Sequence, residues 1–85
     1  MFNLFIERSA EKDFKKLPTK HLSNVISKIK GLSKDSHPKG CKKLINNKNF
    51  WRIRIGNYRV IYEVIESEKS IRIYKVKHRK DVYKS

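Results

Sequence analysis

Apolar residues recur along this chain with two different periods. Phe2, Leu4 and Ile6 alternate with Asn3, Phe5 and Glu7, a period of two that predicts a short N-terminal strand. The spacing then lengthens to three and four. Ala10, Phe14 and Leu17 share one face of a first helix, with Ser9 as its expected N-cap and Glu11 and Asp13 near its positive end. Pro18 closes that helix or opens the next. Leu22, Val25, Ile26, Ile29 and Leu32 then form the longest helical stripe of the chain. Lys20, Lys28, Lys30 and Lys34 lie off that stripe, as a solvated flank does.

The segment KDSHPKG, residues 34–40, breaks both periods at Pro38 and Gly40 and reads as a linker. Strand-like patterning returns with CKKLI, residues 41–45, followed by a turn at NNKN. Residues 50–55 and 58–65 predict a hairpin around Gly56-Asn57, a pair that suits a tight primed turn. A polar turn at 66–69 and a strand over SIRIYKVK complete the pattern, before the tail HRKDVYKS. The order is β-α-α-β-β-β-β. It predicts an α+β fold, with two N-terminal helices packed on one face of a small, mainly antiparallel twisted sheet.

With 85 residues there is room for one core, so a single domain is expected over 1–85. Hydrophobic content of 38%, with nine aromatic residues among them, excludes a disordered tail despite 35% charged residues. Charge changes the picture most. Twenty-two Lys and Arg against eight Asp and Glu leave +14. Solubility asks for roughly 2–8 net charges on a small domain, so a polyanion or an acidic protein is the expected partner. Cys41 is the one cysteine, which rules out an internal disulfide and suits a reducing compartment. No spaced Cys/His set suggests zinc, and neither metal nor cofactor is expected. The N-terminus MFNLFIERSAEKD lacks a signal-peptide pattern and no apolar run reaches membrane-spanning length, so a cytoplasmic location without membrane contact is expected.

The hairpin FWRIRIGNYRVIY carries the candidate chemistry. A two-residue loop at Gly56-Asn57 sets Ile55 opposite Tyr58, Ile53 opposite Val60 and Trp51 opposite Tyr62. Those six share the face that meets the helices. The other face places Arg54 opposite Arg59, with Arg52 one step along. Like charges directly opposite each other destabilise a sheet, so the arrangement makes sense when an anion neutralises it. Arginine presents a planar fork of donors to a phosphate and stays charged at any physiological pH. Lys39, Lys42, Lys43 and Lys48 extend the cationic tract, and residues 39–62 contain seven basic residues and no acid. Lys42, Lys43 and Lys77 are the expected RNA contacts beside the arginines. In the tail, His78 can exchange protons near neutrality, Arg79 supplies fixed charge, and Tyr83 offers a hydroxyl. Together these groups point to phosphodiester chemistry on RNA.

The element order, GNYRVIY and the ending KVKHRKDVY together resemble the RelE/ParE superfamily of toxins, and within it the RelE-type branch. The resemblance spans essentially the whole chain. It implies a RelE-like domain that acts as a ribosome-dependent mRNA endoribonuclease in the A site and pairs with a cognate acidic antitoxin. The cut it implies is made by 2′-hydroxyl attack on the adjacent phosphate. Carried over by motif, Arg52, Arg54 and Arg59 hold the scissile phosphate, Arg79 assists the leaving oxygen and Tyr83 orients the nucleotide. The best-known branch has lysines where Arg52 and Arg54 stand. Arginine cannot serve as a base, which makes His78 or a ribosomal group the expected proton carrier. A ParE-like gyrase inhibitor, or a member that only binds antitoxin or RNA, is the alternative reading. The tail KHRKDVY favours the ribonuclease.

Overall fold

The computed structural model describes residues 1–44, 49–78 and 80 of the chain. Strand β1 (Asn3–Ile6) leads into helices α1 (Arg8–Lys15) and α2 (Thr19–Gly31). The chain then crosses to β2 (Lys42–Lys43) and runs through β3 (Phe50–Ile55), β4 (Tyr58–Ile65), a 3₁₀ turn (Glu66–Glu68) and β5 (Ser70–His78). The five strands form one sheet in the order β1-β5-β4-β3-β2. Three of the four pairings are antiparallel; β1 joins β5 in parallel, so the expected mainly antiparallel sheet is mixed.

Both helices cover one face, and their apolar stripes meet the inward residues of the strands. Val25, Ile29 and Leu32 of the α2 stripe pack with Ala10, Ile53, Ile55, Val60, Tyr62, Val64, Ile71, Ile73 and Val76. Each Val, Leu and Ile so buried contributes roughly 1.5–3 kcal/mol of apolar transfer free energy. Gly56 sits at φ +59 whereas Asn57 is not in the left-handed region, the pattern of a two-residue turn with glycine first. That turn fixes the expected register, with Ile55 opposite Tyr58 and Trp51 opposite Tyr62.

Strand β5 departs from simple alternation. Ile73 opposes Tyr62, yet Lys75 opposes Ile61, so Tyr74 is an extra residue in the ladder. Ile71 and Ile73 therefore face the helices, and Val76 faces them too, three positions on instead of two.

Beyond the end of β1, helix α1 satisfies the outer edge of β5. The Ser9 hydroxyl donates to the Tyr74 carbonyl. The Val76 N–H donates to Asp13 Oδ2 at 2.9 Å. Ser9 is thus not the N-cap that the sequence suggested. Glu7 occupies that position, without a side-chain cap bond. Asp13→Ala strands the half-buried Val76 N–H, and a loss of about 1–3 kcal/mol in unfolding free energy is expected. Asp13→Asn, which keeps an acceptor, should recover most of it in urea titrations.

The linker at 34–40 is held down rather than loose. Tyr62, fully buried, donates its hydroxyl to the Ser36 carbonyl at 2.8 Å, and the His37 ring meets Trp51 edge-on at 4.4 Å. Burial, then the neighbouring Cys41 and Asp35, push the Tyr62 phenol well above its ordinary value. The folded state therefore favours the neutral phenol. Its contribution is constant below pH ~10, the ordinary tyrosine value, and is lost as pH rises above it, when only the unfolded chain ionises. Between pH 9 and 11.5 the melting temperature of the wild type should fall more steeply than that of Tyr62→Phe.

Candidate functional site

The hairpin turn and the β5 bulge together decide which side chains share the face turned away from the helices. Arg54 is directly opposite Arg59, and Arg59 is directly opposite Lys77. One step along, Lys42 opposes Arg52, Arg52 opposes Ile61, and Ile61 opposes Lys75. Two cationic rows thus run across β2 to β5, separated by two residues of strand, about 6.8 Å. Arg54 and Lys42 are exposed and Arg52 and Lys77 are half-buried. Arg59, on the central strand, is 5% exposed and engaged by an interaction of its own.

A cleft of about 700 Å³ opens at the β3 edge beyond β2. It is lined by the C-terminal half of α2, the 35–40 loop and Arg52, Arg54 and Arg59, with Asp35 as its one carboxylate. Strand β2 ends opposite Arg52, so the cleft reaches the arginine rows without a neighbouring strand in the way.

Among the described residues, Glu7 bonds Arg72, Asp13 accepts from Val76, Asp35 from the His37 N–H, Glu63 from the Tyr74 hydroxyl, and Glu66 pairs with Lys69. None of these bonds goes to Arg52, Arg54, Lys42 or Lys77. These five acids are engaged within the fold, and Arg59 has an interaction of its own.

Two expected contacts lie elsewhere. Lys43 opposes Trp51 and sets its ammonium 6.0 Å from that ring, on the helix side. His78 opposes Tyr58 on the helix side as well, because the bulge shifts the parity of β5. Its ring meets Tyr58 edge-on at 5.2 Å, and Tyr58 meets His21 of α2 at 5.4 Å. His78 Nδ1 accepts the Lys80 N–H at 3.2 Å, so the neutral ring carries its own N–H on Nε2. Arg79, Tyr83 and Lys48 lie outside the described residues.

The sequence reading missed the other half of the open face. Past Arg52 on β3 comes Phe50, opposite Glu63 of β4, which in turn opposes Arg72 of β5. The bulge adds Tyr74, whose ring lies 5.2 Å from Phe50 and whose hydroxyl donates to Glu63 at 2.9 Å. Desolvation and the Glu63 bond raise the Tyr74 phenol above its ordinary value, so this hydroxyl stays a donor at neutral pH. Arg72 stacks over Phe5 at 5.2 Å. The spacing of three between Ile73 and Val76 was the available signal, since it announces the extra residue. Among the described residues no group of three or more His, Cys, Asp or Glu could hold a metal, and no helix is long and apolar enough to cross a membrane.

Known proteins carry the same architecture. The family described as the ParE toxin of type II toxin-antitoxin systems, parDE, matches residues 4–83. A curated relative from Methanocaldococcus jannaschii that bears the toxin name RelE1 is 33% identical over 87 residues, covering 99% of this chain and 97% of its own. The archaeal RelE–RelB complex from Pyrococcus horikoshii OT3 superposes with a TM-score of 0.81 at 29% identity, over 92% of this chain and 94% of that one. The isolated E. coli RelE toxin gives 0.81 at 20% identity, over 99% and 93%, and bears on the fold alone. With its sheet order, its hairpin and nearly its full length matched, the chain belongs to the RelE-type branch of the RelE/ParE superfamily, the toxins of type II toxin–antitoxin systems.

Proposed function

We propose that this toxin is an mRNA endoribonuclease that works in the ribosomal A site and is silenced by an acidic antitoxin. The observation that carries the reading is the pair of cationic rows on the open face, built from Lys42, Arg52, Arg54, Arg59 and Lys77. Arg52, Arg54 and Arg59 would bind the scissile phosphate through charge-assisted hydrogen bonds and stabilise the charge that builds on its oxygens as the ribose 2′-hydroxyl attacks. Arg79 and Tyr83 keep the roles that the family resemblance gives them, at the leaving oxygen and the nucleotide.

Proton transfer divides into two readings. His78 would give up its bond to the Lys80 N–H and take the proton on Nδ1, or the ribosome would supply the base. The position of His78 on the helix side favours the ribosome. A protein without its own base is a weak catalyst alone. Alignment of the 2′-hydroxyl by the ribosome can supply several kcal/mol of what it lacks. The antitoxin is inferred from charge complementarity with a +14 chain and from the RelE–RelB complexes of similar proteins.

Purified protein added to programmed ribosomes should cut mRNA and leave 2′,3′-cyclic phosphate ends. Intact mRNA together with gyrase inhibition would transfer the protein to the ParE-like reading.

A further inference from the structure

The open face does not end at the arginines. Its third row holds Phe50, Glu63, Tyr74 and Arg72, followed by Phe5 of β1. The rings of Phe50 and Tyr74 come from different strands, yet they meet at 5.2 Å with planes 40° apart. The two strands flank the central β4, so the pair bridges over it on the open face. Both residues point away from the helices, neither is fully buried, and neither belongs to the core. The residue that completes the pair, Tyr74, is the inserted one, so the strand ladder is interrupted to present it.

We propose that Phe50 and Tyr74 form a stacking site for one base of a single-stranded RNA whose phosphates lie on the arginine rows, and that Glu63 reads the edge of that base. The inference rests on the RNA-binding reading given above and names a subsite within it. Aromatic side chains on an open sheet stack bases without regard to sequence, because every base has a π-face. The row spacing fits one chain running along β3, with phosphates at Arg54 and Arg52 and the base at Phe50, each about 6.8 Å further on.

Glu63 adds selectivity. The Tyr74 hydroxyl donates to Oε1, which holds the carboxylate at the rim of the ring pair. A carboxylate there accepts from an exocyclic amine and repels a carbonyl edge. Cytosine and adenine are favoured over uracil.

The test uses the full-length protein and hexamer RNAs carrying the fluorescent base 2-aminopurine at each position in turn. Quenching is expected at one position only, and Phe50→Ala or Tyr74→Ala should abolish it and weaken binding about ten-fold. Because an alanine variant can fail to fold, Phe50→Tyr and Tyr74→Phe serve as partners that retain the rings. Both should keep the quenching, while Tyr74→Phe and Glu63→Gln lose the preference for cytosine or adenine over uracil. Equal quenching at all positions, or none while Arg52→Ala and Arg54→Ala still weaken binding, overturns the stacking site and leaves the phosphate reading intact. Absence of any salt-dependent RNA binding by the wild type overturns both. Loss of antitoxin affinity in Phe50→Ala with RNA binding unchanged assigns the row to the antitoxin and also overturns the proposal.

Discussion

Arg52→Ala is expected to lower mRNA cleavage on programmed ribosomes by about 10²–10³, the loss seen when one preorganised donor to a developing anion is removed. Arg54 shares the row face and should behave alike. Lysine at either position keeps the charge and loses the planar fork, so partial recovery is expected. His78→Ala should cost less than ten-fold, because His78 sits with Tyr58 on the other side of the sheet. A larger loss would make His78 the proton carrier after all. Stability should move the opposite way from activity. Arg54 faces Arg59 across the ladder, and Arg54→Thr relieves that repulsion while retaining strand preference. A gain of 0.2–1 kcal/mol, or roughly 1–8 °C in melting temperature for a domain of this size, is the expected trade. A residue that weakens the fold and is essential for cleavage is present for its chemistry.

The second large effect is kinetic. With +14 on the chain and most of its described carboxylates already bonded, the outer field acts over a long range. Association with an acidic antitoxin should slow by one to two orders of magnitude as salt rises from about 50 to 500 mM, while dissociation changes little. Stopped-flow measurements at several ionic strengths test this directly. Rates indifferent to salt would show that shape alone drives the encounter.

Much of this was written locally in the sequence. Gly56-Asn57 set the hairpin register, and with it the separation of Trp51, Ile53 and Ile55 from Arg52 and Arg54. The α2 stripe is buried as its spacing demands, at Val25, Ile29 and Leu32. The parts that were not legible depend on partners distant in the chain. Ser9 has the composition of a cap, but the nearest backbone in need of a partner was the Tyr74 carbonyl, 65 residues away. Asp13 was read as a helix-dipole residue and instead serves Val76. Lys43 and Lys42 look alike in sequence and part company only because β2 alternates across β3. His78 was placed beside the arginines by its neighbours in the tail. Strict alternation from Ile73 would have kept it there. Arg79 and Tyr83 fall beyond the described residues.

That last case turns on one residue. The bulge at Tyr74 acts as a parity bit for everything downstream in β5. Deleting the Tyr74 codon would leave a regular ladder with Lys75, Val76, Lys77 and His78 on the sides they now occupy, because the inserted residue itself offsets the alternation. The insertion therefore adds a ring to the open face without moving Val76 out of the core or Lys77 from its place opposite Arg59. Assigning the faces of β5 by strict alternation misplaces every residue beyond Tyr74 unless that insertion is counted first.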